Sequence, residues 1–238
     1  MKLCICGYER SGTTIIGLMM AKATGMSLLN DPPESYRTNL DILHKNGLNK
    51  KFAKQVRTHE IVKVPGFAAV LPQLKSQFGE FQTLYIMRDP RDAICSAIER
   101  TEKGPKVAHI NLFWTPPLSG VPDEDMVLGM AGRWREYAML AKSYEKQNNG
   151  KVYWLKYEFW WQDKIGALRL VTDALGLPFS KEGLRQMCDV QVNKNLNRGI
   201  PRNIAGPGRW KRDLSERDAR RVEAICNVGG LMEEFGYL

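Results

Sequence analysis

The residues best suited to chemistry stand near the start of the chain, where Lys2-Leu3-Cys4-Ile5-Cys6-Gly7 runs into Tyr8-Glu9-Arg10-Ser11-Gly12-Thr13-Thr14. An apolar run of this kind predicts a buried strand. Gly7 and Gly12 keep the spacing of a phosphate-binding loop, G-x-x-x-x-G-K-[ST], in which Lys reaches the terminal phosphates and the next hydroxyl holds Mg²⁺. Here Thr13 occupies the Lys position, and Arg10 carries the charge inside the loop. Successive backbone N–H groups and the helix start after them still suit an anion. The apparatus for a polyphosphate with its metal is missing.

Two further segments repeat this theme. Thr83-Leu84-Tyr85-Ile86-Met87 reads as a buried strand that delivers Arg88-Asp89-Pro90-Arg91-Asp92, with Ser96 two turns into the helix that follows. Gly206-Pro207-Gly208-Arg209-Trp210-Lys211 is a rigid basic loop ahead of a C-terminal helix. In open α/β sheets, ligands bind outside the carboxyl ends of the strands, where the first two of these segments are expected.

Together the three segments resemble the sulfotransferases that use 3′-phosphoadenosine 5′-phosphosulfate (PAPS) and release 3′-phosphoadenosine 5′-phosphate (PAP). The resemblance covers roughly residues 2–100 and 150–238, with weaker echoes in Trp154-Leu155-Lys156-Tyr157-Glu158 and in the ending Gly230 to Tyr237. It implies that Arg10, Ser11, Gly12, Thr13 and Thr14 grip the 5′-phosphosulfate. Arg88 and Ser96 would then hold the 3′-phosphate, while Gly208, Arg209, Trp210 and Lys211 close over the nucleotide. It implies an α/β, P-loop three-layer fold, with a central, mostly parallel five-stranded sheet flanked by helices.

Sulfuryl transfer needs a bound donor, a base for the acceptor and cations where charge develops. Lys63, in Ile61-Val62-Lys63-Val64-Pro65, aligns with the lysine of the K-[TS]-H-L-P segment of cytosolic family members, and Pro72 falls in register with that segment's second proline. Pro65 then stands at the histidine, so the histidine base is missing. The resemblance implies a carboxylate instead, as in glycan and protein-tyrosine sulfotransferases. Asp31 lies nearer the family spacing from the phosphate loop, Glu34 matches the residue type, and Asp31 is placed first. Either is equally readable as an acid at the start of a helix. His109, in a long loop over 102–124, is a third candidate; His59 belongs at the amino end of its strand and His44 to a polar stretch. Aligning on Trp210 puts Asn203, Ile204 and Ala205 where cytosolic members have R-K-G, which leaves Arg202 or Arg209 for the 3′-phosphate. Trp210 either packs on the adenine or anchors its loop.

The elements that must position these groups follow from periodicity. Strands are expected at 2–6, 27–29, 60–64, 82–87 and 152–156, alternating with helices as βαβ units require. Helices are expected from Thr13 to Ala23, along a face of Phe67, Val70, Leu71, Leu74 and Phe78, and from about Asp125 to Lys146. Ser215 and Asp218 read as a capping box. Long loops are expected over 102–124 and 191–213.

At 238 residues one domain, 1–238, is expected. No run of eighteen apolar residues or leader-like start is present, and the five cysteines include no C-x-x-C. The reading is a cytoplasmic protein with buried free thiols, no membrane association and no metal requirement. The net charge of +9, from 35 Lys and Arg against 26 Asp and Glu, suits an anionic donor, an anionic acceptor or nucleic acid and does not separate them. With no RNP-like aromatic set or Arg-rich run, nucleic acid is not expected as a partner. The expected partner is a small molecule or glycan whose hydroxyl, or amine, accepts the group. A P-loop small-molecule kinase is the alternative, opposed by Thr13 and by Arg88 where a Mg²⁺-binding Asp would stand. The acceptor and the oligomeric state are not legible.

Overall fold

In the computed structural model, the residues described are 1–35, 47–102, 125–148, 151–182, 184–185 and 206–238. The apolar run Leu3–Gly7 is buried at every position and forms β1, the middle strand of the sheet. Around it lie β2 (Leu28–Asn30), β3 (Ile61–Lys63), β4 (Gln82–Met87) and β5 (Val152–Lys156), in the order β2-β3-β1-β4-β5, every pairing parallel. The expected strands fall on these elements to within a residue at most ends, and the sheet is parallel throughout instead of mostly so.

Alternation along β1 builds the three layers. Cys4 and Cys6 face a core shared with Val62, Tyr85 and Met87, whereas Leu3 and Ile5 face a second core with Ile61, Leu84 and Ile86. The first is closed by α2 (Lys50–Thr58), α3 (Leu71–Phe78), α5 (Met126–Gln147) and α9 (Glu216–Cys226). The second is closed by α1 (Thr13–Thr24), α6 (Tyr157–Gln162) and α7 (Lys164–Ala174). The remaining helices are α4 (Pro90–Glu102), α8 (Trp210–Asp213) and α10 (Leu231–Glu234). Met130, Trp134, Tyr137, Ala141 and Tyr144 of α5 are all buried, as their spacing predicts. The expected cap at Ser215 is present, its side chain accepting from Asp218 N at 3.1 Å. The described cysteines, Cys4, Cys6, Cys95 and Cys226, are buried and free.

The helix expected through Phe67 and Phe78 is two elements. A 3₁₀ turn, Pro65–Ala69, stops at Val70, and α3 starts at Leu71. Pro72 is the cause: it has no N–H to offer Ala68, and its ring would meet that carbonyl in a continuous helix. Phe67, Val70, Leu71 and Leu74 are buried all the same, and the half-buried Phe78 packs against the same core. Among the described residues, no helix is long and apolar enough to cross a membrane.

Candidate active site

The loop after β1 is shaped by two glycines, each at a positive φ and with no room for a Cβ. A Cβ on Gly7, where φ is 143°, would lie 2.4 Å from Ile86 O of the adjacent strand. A Cβ on Gly12, where φ is 87°, would lie 2.6 Å from the Tyr157 ring. Between them Arg10 also has positive φ, at 69°. A loop with positive φ at these positions suits an anion-binding nest, and α1 adds its amino end there, with no side chain capping it.

Arg10, Arg88 and Ser96 converge on this loop. Arg10 Nε donates to Ser96 Oγ at 3.1 Å, and Arg88 Nη1 donates to the Arg10 carbonyl at 2.9 Å. The Arg88 guanidinium lies over the Tyr157 ring, 4.5 Å from its centre. Trp134 Nε1 donates to Arg88 O at 3.0 Å, so α5 holds the end of β4 in place. Ser11 Oγ and Arg88 Nε are buried with no hydrogen-bond partner among the described residues. Orphaned donors beside a positive loop are what a site for an oxyanion looks like when read from the protein alone.

Asp31 and Lys63 meet beside the loop. The β2–β3 register sets Asn30 opposite Lys63, and Asp31 N continues the ladder to Lys63 O at 2.8 Å. Lys63, 1% exposed, donates from Nζ to Thr14 Oγ1 at 2.8 Å and lies 3.5 Å from Asp31 Oδ2. Burial holds its ammonium below the ordinary value, against the pull of Asp31 and Glu9. Its stem runs beside Gly17 of α1, where a Cβ would come within 3.3 Å of Lys63 Cγ. Asp31 has φ 47°. Among the described residues, Arg10 and Asp31 are the non-glycine residues with positive φ. Backbone strain of this kind collects at functional positions.

Glu34 is engaged elsewhere. Lys51 of α2 forms an ion pair with it, and that hydrogen bond holds its carboxyl below the ordinary value. A third carboxylate, missed in the sequence, is Glu9. Burial raises its pKa, opposed by Arg133 of α5 and by Lys63, while Asp31 adds to the rise. It therefore belongs to the same charge cluster as Asp31 and Lys63. His59, at the amino end of β3, is bonded to Gln55 O at 2.8 Å. His109 and His44, residues 103–124 of the expected 102–124 loop, Arg202 and Asn203 to Ala205 lie outside the described residues.

The segment Gly206–Lys211 is fastened to α4. Asp92 accepts from Gly208 N at 2.6 Å and from Trp210 N at 2.9 Å. The Arg91 guanidinium covers the Trp210 ring at 4.1 Å. Trp210 is thus tied to α4 through both its backbone and its ring. Arg209 is held by Glu99 at 3.0 Å and Asp213 at 2.7 Å. Lys211 is exposed beside Trp210.

The family model for the sulfotransferase domain matches residues 1–236. A comparison with curated proteins gives no match. Among solved structures, the mouse sulfotransferase SULT7A1 complexed with PAP superposes with a TM-score of 0.62 at 14% identity, over 95% of this chain and 82% of that one. The sulfotransferase domain of the Synechococcus PCC 7002 olefin synthase gives 0.55 at 15% identity, over 94% and 93% of the two chains. Sulfotransferase STF9 from Mycobacterium avium gives 0.55 at 12% identity, over 98% and 75%. At these identities the structural likeness is one of fold, and the family assignment rests on the domain model. That model runs from the phosphate loop through the α4 motif to the C-terminal segment, and the chain belongs to the sulfotransferase family of transferases.

Proposed function

We propose that this chain moves a sulfuryl group from PAPS to a hydroxyl or amine of a small-molecule or glycan acceptor. The observation that carries the reading is the convergence of Arg10, Arg88 and Ser96 on a positive-φ loop, with Ser11 Oγ and Arg88 Nε left as buried donors that no described residue answers. When bound, the donor supplies the activated sulfuryl group. The loop, Thr13 and Thr14 would hold its 5′ end, Arg88 and Ser96 its 3′-phosphate, and Lys63 would face charge developing on the bridging oxygen. Asp31 is the proposed base, because it shares the cluster with Lys63 while Glu34 is paired to Lys51. The kinase alternative gains nothing here: Asp89, the carboxylate next to the end of β4, is forked to Arg91 at 3.0 and 2.8 Å.

Calorimetric titration in EDTA with PAP, AMP and ADP tests the donor. A charge-assisted hydrogen bond from Arg contributes about 1.5–3 kcal/mol, so PAP is expected to bind about ten- to a hundredfold more tightly than AMP, and Arg88→Ala to remove most of that margin. Equal affinity for PAP and ADP, or binding only with Mg²⁺, would overturn the assignment. Glu34→Gln provides the control for the base. With its charge tied up by an exposed lysine, the change is expected to alter kcat by less than about fivefold.

A further inference from the structure

We infer that Asp92 is a positioning residue for donor recognition: it latches the Gly206–Lys211 segment onto α4 beside Ser96, so that selectivity for a 3′-phosphorylated donor depends on it. This rests on the donor proposed above.

Asp92 is 0% exposed, and each of its oxygens takes one backbone N–H, Oδ2 from Gly208 and Oδ1 from Trp210. A carboxylate used in this way is no ligand for a phosphate, which it would repel. Its work is to give partners to two amides of a loop that has no strand or helix ladder until Trp210, and in which Gly208 needs φ 84°. Burial of the acid is unfavourable, and it raises the Asp92 pKa against the two N–H bonds. A fold tolerates a buried charge where the geometry it fixes matters.

The neighbouring contacts make the same attachment from two more points. Arg91 is set by acceptors outside the loop, namely Asp89, Glu223 at 2.6 Å and Tyr237 O at 2.7 Å, and turns its flat face to Trp210. Arg209 reaches Glu99. Asp92, Ser96 and Glu99 stand at i, i+4 and i+7 of α4 and share one face of that helix. The loop is therefore anchored on both sides of Ser96, the residue that accepts from Arg10. One short motif thus does two jobs, Arg88 reaching the phosphate loop while Arg91 and Asp92 hold the C-terminal segment against α4 on either side of Ser96.

Asp92→Asn keeps the shape but sets an amide NH₂ against one of the two backbone donors, leaving that N–H without an acceptor. Expected are a ten- to hundredfold loss of PAP affinity, unchanged AMP affinity, and faster tryptic cleavage after Arg209, Lys211 and Arg212 in the absence of nucleotide. A general loss of stability would lower both affinities together, which would overturn the inference. So would wild-type PAP affinity in the variant. If the wild-type protein itself fails to prefer PAP over AMP, the donor proposal falls and this inference with it, whatever the cleavage pattern. Should Asp92→Asn not fold, Trp210→Leu, which removes the ring under Arg91, is expected to give the same split, and its absence would overturn the inference.

Discussion

Replacing Asp31 with Asn is expected to lower kcat by about 10²–10⁴-fold, the usual contribution of a positioned general base, while PAP affinity changes by less than about twofold. Asn has the volume of Asp and tolerates the left-handed backbone that this position requires at φ 47°. It still accepts from Ser35 Oγ, which lies 3.2 Å from Asp31 Oδ1. The loss therefore isolates the charge and the proton-accepting oxygen from the shape. Single-turnover transfer from labelled PAPS to the best acceptor in a panel of phenols, alcohols, amines and oligosaccharides provides the rate. Glu9→Gln is the informative companion, because Glu9 shares the charge cluster and burial has raised its pKa. Full activity in Asp31→Asn with a collapse in Glu9→Gln would move the base into the phosphate loop. A collapse in Asp31→Asn alone would fix it at the end of β2.

The parts of this site that were legible are those encoded within a few residues. Each strand is a short apolar run, so β1, β4 and β5 could be bounded from local composition, and the turn from Gly7 to Thr14 announces itself through its glycines. Ser215 and Asp218 lie within one helical turn, and their cap follows from that spacing. What stayed hidden depends on chain distance. Asp92 reads locally as a first-turn acid of α4, a sufficient reason for its presence; only the fold brings Gly208 and Trp210 to it. Likewise Arg209 was open to a phosphate role until Glu99 and Asp213 took both sides of its guanidinium. Glu34 met Lys51 in the same way. Two signals were present and went unread. An acid between Tyr8 and Arg10 conflicts with an anion-binding loop, and such conflicts mark functional positions. A glycine inside α1 costs a helix about 1 kcal/mol, and Gly17 is explained once the Lys63 stem is found against it.

Lys63→Met is expected to separate function from stability. An ammonium that is 1% exposed carries a large desolvation penalty, and its return here is one hydrogen bond to Thr14, an ion pair with Asp31 as long as 3.5 Å and the attraction of Glu9. Met preserves the stem that packs beside Gly17, and Asp31, with a side chain 31% exposed, remains hydrated when its partner is gone. The variant should therefore melt no lower than the parent. If Lys63 supplies the cation for the bridging oxygen, kcat should still fall about 10²–10³-fold, the scale of removing one such donor. The pH dependence gives a second test. Burial lowers the native pKa below the ordinary 10.5, so between the two values the unfolded chain holds more protons than the folded one. In that window Lys63 makes stability rise with pH, below it the burial cost is constant, and Lys63→Met should flatten the rise. Activity should run the other way in the parent, declining as pH climbs through the lowered pKa and the cation is lost. A variant that loses its activity together with several degrees of melting temperature would mark Lys63 as a structural partner of Asp31, because breaking a stabilising buried pair is costly in a way that relieving a strained one is not.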